Sequence, residues 1–106
     1  MTINSINSKT LQSWLENHST ILIDVREVAE NKTARIKEAT LIPLAIININ
    51  NLPPLADKKL VIHCKSGKRS FAACQLLLAQ NPNLEIYNLD GGIESWIAAG
   101  YEIQTN

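Results

Sequence analysis

The chain has no charge of either sign to spare: ten lysines and arginines are matched by ten aspartates and glutamates. That balance removes the global positive field that gathers proteins on nucleic acid or acidic membranes. Long apolar runs are missing as well, and no stretch approaches the length of a membrane span. The opening residues MTINSINSKT lack the basic-then-apolar pattern of a secretory leader. Cysteine is scarce. Cys64 and Cys74 are the two present, and they cannot join if the chain between them runs from a strand end down a helix. Two cysteines and two histidines do not match zinc-ligand spacing, so no metal is implied, nor any organic cofactor. With no leader and no disulfide framework, the expected compartment is the reducing cytosol.

What is present is an ordinary globular composition, 45% hydrophobic and 19% charged, over 106 residues. That length suits one domain spanning 1–106, able to bury roughly two-thirds of its unfolded surface without a covalent staple. TINSI reads as a short first strand, and Ser8 as the cap of a helix carrying Leu11, Trp14 and Leu15. TILIDV (20–25) is a buried strand, and the polar REVAENKTARI holds a short helix. TLIPL (40–44) is a third strand whose Pro43 marks its end or a sheet edge. AIININNLPP gives a helical turn stopped by Pro53 and Pro54. KKLVIHC (58–64) is the clearest strand, and a helix over 69–80 follows with Phe71, Cys74, Leu77 and Leu78 along one side. LEIYNL (84–89) is another strand, and Ile93, Trp96 and Ile97 then take helical spacing. Strands alternating with helices, through connections too long for hairpins, predict an α/β fold. Its central sheet is mainly parallel, about five strands, with helices on both faces. Ligands in such folds bind beyond the carboxyl ends of the strands, where Cys64 falls.

Around Cys64 the sequence reads CKSGKRS. A loop joining a strand to a helix turns successive N–H groups into one hollow, and the first helical N–H groups have no internal partners. Gly67 permits the tight turn and Ser66 adds little bulk. Lys65, Lys68 and Arg69 raise the local positive potential. A cysteine so placed is more acidic than a free thiol, and the thiolate is the nucleophile. The pattern points to cysteine chemistry through an anionic intermediate. It does not by itself name the atom transferred.

CKSGKRS resembles the active-site loop of the rhodanese family of sulfurtransferases, whose pattern is C-x-x-G-x-R-[ST]. ILIDVRE is similar to that family's first block, and NLDGGIESWIAAGYEI to its closing L-x-GG-x-x-x-W-x-x-x-G block, all in the family's order. The resemblance implies a rhodanese-like fold and a Cys64 persulfide, formed from a small anionic donor such as thiosulfate or from a persulfide. The persulfide would be held by the loop of Lys65, Ser66, Gly67, Lys68 and Arg69. The sulfur would then pass to cyanide, a thiol or a thioredoxin-like protein. Asp24 and Arg26 match the family's D-x-R element and read as scaffold beside the loop.

Two rival readings stay open. His63-Cys64 followed by four residues and Arg69 resembles the H-C-x5-R of cysteine phosphatases and their arsenate-reductase-like relatives. The loop is one residue shorter, a ring that suits a sulfur atom better than a phosphoryl group. The other rival is a non-catalytic persulfide carrier or redox sensor. Arg69 is expected to shape the loop by pairing with a carboxylate, Asp24 being the candidate. Cys74 reads as core packing, and His63 as the end of a strand rather than a general base. One block departs from the family: where G-H-I-x-G-A is usual, this chain has ARIKEA, so the turn at Arg35 must be built differently, with local pairing by Arg35 as one route.

Overall fold

A computed structural model describes residues 2–105; the two terminal residues of the 1–106 span lie outside the described residues. In chain order the elements are β1 (Asn4–Ile6), α1 (Ser8–Glu16), β2 (Thr20–Asp24), α2 (Val28–Thr33) and β3 (Thr40–Leu41). After a short 3₁₀ turn (Ile49–Asn51) come β4 (Lys59–His63), α3 (Lys68–Gln80), β5 (Ile86–Leu89) and α4 (Gly92–Ala98). The five strands form one sheet in the order β1-β5-β4-β2-β3. Every pairing between them is parallel.

Alternation along the strands builds two cores. On β4, Leu60 and Ile62 face one side of the sheet, where Ala73, Cys74, Leu77 and Leu78 of α3 cover them. Val61 faces the other side and packs with Leu11 and Leu15 of α1 and Ile93 and Trp96 of α4. β2 divides the same way, Ile23 to the α3 side and Leu22 to the α1/α4 side. Each of these Leu and Ile side chains contributes about 1.5–3 kcal/mol by leaving water. Central parallel strands buried on both faces therefore read as unbroken apolar runs.

Three local expectations are corrected. The cap of α1 is Asn7, whose Oδ1 accepts from the Thr10 N–H at 2.9 Å, because Ser8 already lies inside the helix and is buried. Phe71 is 44% exposed, since the buried stripe of α3 runs through Ser70, Ala73, Cys74, Leu77 and Leu78 instead. Ile97 is 45% exposed, leaving Ile93 and Trp96 to anchor α4. The third strand is cut to two residues at the sheet edge, consistent with Pro43 just beyond it.

The topology fixes where a ligand can sit. The chain leaves β2 toward the β3 edge and leaves β4 toward β5, so the direction of winding reverses between β2 and β4. The crevice at such a reversal opens at the carboxyl ends of its strands, and here those ends carry Asp24 and His63 in register. The loop after β4 is then pinned from one side. At the start of α4, the Ile93 and Glu94 N–H groups donate to the carbonyls of Cys64 and Lys65 at 2.9 and 3.1 Å. Gly92 makes that approach possible: its φ is +59°, and a Cβ there would lie 2.4 Å from the Lys65 oxygen and 2.7 Å from the Cys64 oxygen. Gly92→Ala is therefore expected to cost at least about 2 kcal/mol, combining left-handed strain with a backbone clash. Urea unfolding would read this as a lower midpoint with an unchanged slope.

Candidate active site

Cys64 follows the last residue of β4, and α3 begins four residues later. Its side chain continues the alternation of Leu60 and Ile62, so it is 1% exposed and belongs to the α3-side core. An ordinary core cysteine would meet only hydrocarbon there. This one meets donors. Gly67 turns the chain with φ +111°, a conformation that favours glycine, and caps α3. That turn brings the Gly67 N–H to 3.1 Å and the Ser70 N–H to 3.3 Å from Sγ, with the Ser70 hydroxyl also at 3.3 Å. Burial alone would push the thiol up. The Ser70 hydroxyl and the N–H groups of Ser70, Gly67 and Ser66 outweigh it, and the pKa lies below the ordinary value. Cys74, one helical stretch further on, has no such cradle: burial and the nearby Cys64 push it up to about 12. Both cysteines are free thiols.

Arg69 does pair with a carboxylate, but the partner is Glu30 and not Asp24. Its two terminal nitrogens meet the two carboxylate oxygens of Glu30 at 2.7 and 2.9 Å, a forked bridge from the first turn of α3 to α2. Glu30 also accepts from the Glu27 N–H at the head of α2. The Arg69 hydrogen bonds hold the Glu30 carboxyl down at about 2, against a smaller opposing effect of burial. Asp24 is already taken: its carboxylate accepts from the Arg26 N–H, from the Arg26 guanidinium and from Asn31. Burial would raise that carboxyl, but the Arg26 hydrogen bonds, together with His63 and Asn31, leave it lowered. Nη2 of Arg26 also donates to the Ala34 carbonyl at 2.7 Å. Asp24 and Arg26 thus tie the ARIKEA segment to the sheet. Arg35 itself exchanges backbone bonds with Gln104 and reaches the Asn31 carbonyl, which is how that turn is completed without the family's glycine and histidine.

His63 points to the other face of the sheet. Its Nδ1 lies 3.1 Å from the Cys64 carbonyl, and its Nε2 lies 3.9 Å from Asp24. Burial holds its pKa below the usual value despite the pull of Asp24, so it is a neutral strand-end residue. Lys65, Ser66 and Lys68 are exposed. Lys65 also lines an open cleft of about 300 Å³ between α2 and α4, with Arg26, Glu30, Ala34, Ile93 and Ile97. The structure brings every candidate residue to one end of the sheet. It adds two that the sequence analysis gave no role: Ser70, which closes the CKSGKRS motif, and Asn88. Ser70 Oγ donates to Asn88 Oδ1, and Asn88 Nδ2 donates to the Gly67 carbonyl at 3.2 Å. The signal for Asn88 was a polar residue inside the apolar strand LEIYNL.

The site is thus an amide-cradled cysteine at the winding reversal of a parallel α/β sheet, where a strand meets a helix. The family model for the rhodanese-like domain matches residues 7–99, and the chain belongs to that family. It is 34% identical over 102 residues to a sulfurtransferase of Allochromatium vinosum, covering 95% of this chain and 94% of that protein. It is 37% identical to an uncharacterized protein of Synechocystis sp., covering 91% of this chain and spanning about half (53%) of that relative. The crystal structure of a rhodanese-related protein from Thermoplasma volcanium superposes with a TM-score of 0.80 at 31% identity, covering 95% of this chain and 97% of that one.

Two outcomes are expected from this geometry. Alkylation by iodoacetamide should modify Cys64 alone in the native protein, with a rate that climbs with pH to a midpoint below the ordinary 9.0. Cys74 should react only after unfolding, as peptide mapping would show. The second concerns Glu30, whose folded pKa of about 2 lies below its ordinary 4.5. Its stabilising contribution is complete above pH 4.5 and is lost as the pH falls toward 2. The bridge is about one-third exposed, so Glu30→Gln should cost only about 0.5–1 kcal/mol at neutral pH. Urea titrations of the two proteins should converge in acid.

Proposed function

We propose that this chain is a sulfurtransferase that carries a sulfane sulfur on Cys64. The observation that supports this reading best is the convergence of the Gly67 and Ser70 N–H donors on one buried sulfur, with the Ser70 hydroxyl beside it, while both terminal nitrogens of Arg69 bond Glu30. A phosphatase needs its loop arginine for the oxygens of a transferred phosphoryl group; here both ends of that fork are occupied. The four-residue interval between Cys64 and Arg69 favours sulfur in the same direction.

The first step is attack by the Cys64 thiolate on the outer sulfur of thiosulfate or of a small persulfide. A new S–S bond forms at Cys64, the donor's bond to that sulfur breaks, and sulfite or a thiolate leaves with the electron pair. The product is a Cys64 persulfide anion. The loop from Lys65 to Arg69 and the positive end of the thirteen-residue α3 stabilise its outer sulfur in the manner of an oxyanion site. In the second step cyanide, a small thiolate or the thiolate of a thioredoxin-like protein attacks that outer sulfur. The S–S bond breaks toward Cys64, which returns as the free thiolate. Lys65 and Lys68 draw in the anionic donor, and Asp24 and Arg26 hold the scaffold beneath the loop. No cofactor enters either step. The whole span 1–106 acts as one domain, and the expected compartment is the cytosol. Among the described residues no helix is long and apolar enough to cross a membrane.

Intact-protein mass spectrometry after thiosulfate treatment tests the reading. The native chain and Cys74→Ser should each gain one sulfur atom, which cyanide then removes, while Cys64→Ser gains none. Loading of Cys64→Ser to the same extent as the native chain would sink the assignment, as would failure of the native chain to load from thiosulfate and from a glutathione persulfide alike.

A further inference from the structure

The Ser70 hydroxyl has one proton and three neighbours able to take it: the Gly67 carbonyl at 3.1 Å, the Cys64 sulfur at 3.3 Å and Asn88 Oδ1. Which neighbour holds it follows from what each can do. The Gly67 carbonyl can only accept, so the Asn88 NH₂ group must face it, as the 3.2 Å contact requires. That leaves Asn88 Oδ1 facing Ser70, and an amide oxygen also only accepts. The Gly67 carbonyl already accepts from the Phe71 N–H and from Asn88 Nδ2, so the Ser70 proton belongs to Asn88, and Ser70 presents a lone pair to Cys64. A thiol suits this arrangement, because S–H can donate to Ser70 in turn. A thiolate does not. Once Cys64 ionises, Ser70 must rotate its proton to the sulfur and strand a buried Asn88 oxygen, or keep it and set a lone pair against a negative charge. The backbone N–H donors, from Gly67, Ser70 and Ser66, are the same in both states. Asn88 is 7% exposed on β5, so water is a poor substitute partner.

We propose that Asn88 is a positioning residue that acts through the Ser70 hydroxyl and competes with Cys64 for its single proton. Asn88 holds that proton while Cys64 is a thiol or carries sulfur, and gives it up only to the free thiolate. The effect is to limit how far the cradle acidifies the thiol. A less stabilised thiolate is the stronger nucleophile toward a sulfur donor, because nucleophilicity rises with basicity. The inference rests on the thiolate role of Cys64 proposed above. Its test reads the thiol directly, without sulfur transfer, so the two can fail separately.

The experiment is the pH dependence of Cys64 alkylation in a Cys74→Ser background, for the otherwise native chain, Asn88→Leu, Ser70→Ala and the double variant. Asn88→Leu should lower the midpoint by about one pH unit, roughly the competition of one hydrogen bond. Ser70→Ala should raise it. In the Ser70→Ala background the Asn88→Leu shift should vanish, since there is no proton left to contest. The charged and titratable groups around Cys64 are unchanged in all four proteins: Lys65 in the loop, Lys68 and Arg69 at the start of α3, and Asp24 and His63 at the strand ends. Differences between the variants therefore report on the pair alone. An unchanged or raised midpoint in Asn88→Leu overturns the proposal, and so does a shift that survives without Ser70. A measurement on the native chain guards against a variant that does not fold. The ¹³C resonance of the Asn88 side-chain carbonyl should titrate with the Cys64 midpoint and lose that titration in Cys64→Ser; a signal that stays flat through the midpoint rejects the mechanism.

Discussion

A sulfur enclosed by a hydrocarbon core is drawn toward its charged form only by donors that cannot turn away from it. In this protein the donors belong to the backbone of one tight turn, and the surrounding architecture serves to keep that turn from relaxing. β4 delivers Cys64 into the α3-side core, Gly67 bends the chain back, and α3 starts with the Ser70 N–H aimed at Sγ. The opposite flank is fixed by α4, whose first N–H groups hold the carbonyls of Cys64 and Lys65. Two helices from different parts of the chain therefore clasp one four-residue loop, α3 through the Ser70 N–H on the Cys64 sulfur and α4 through N–H groups on the loop's carbonyl oxygens.

Much of this was legible in the sequence because it is written in local patterns. Unbroken apolar runs at β2 and β4 announced strands buried on both faces, and the glycine-bearing loop with three cations announced an anion-friendly turn. What was not legible depended on contacts between distant elements. Arg69 carries no mark of its partner: Glu30 is reached only because α2 lies across the mouth of the crevice, while Asp24 is preoccupied by Arg26 two residues away. The phase of α3 was misjudged for a similar reason. Phe71 looked like core by type, but the helix is rotated so that the small Ser70 sits inside, where it can touch both the thiol and Asn88. A large residue at that position would have filled the space the hydroxyl needs.

Polar groups in the interior divide into two separate sets. Asp24, Arg26, Asn31 and His63 gather on one side of the sheet and stabilise its carboxyl edge. Ser70, Asn88 and the Gly67 carbonyl gather on the other side, against the thiol. Alternation along adjacent strands keeps them apart: Asp24 and His63 are register partners on one face, whereas Asn88 pairs with Ile62 on the opposite face. Framework and cysteine cradle thus use different faces of the same strands.

α2 is the exception to the apolar logic of the fold, for none of its six residues is buried. It is moored instead by polar links, through Asn31 to Asp24 and through Glu30 to Arg69. Electrolyte screens such links and leaves hydrocarbon contacts intact. Rising ionic strength therefore weakens the tethers of α2 before it weakens either core.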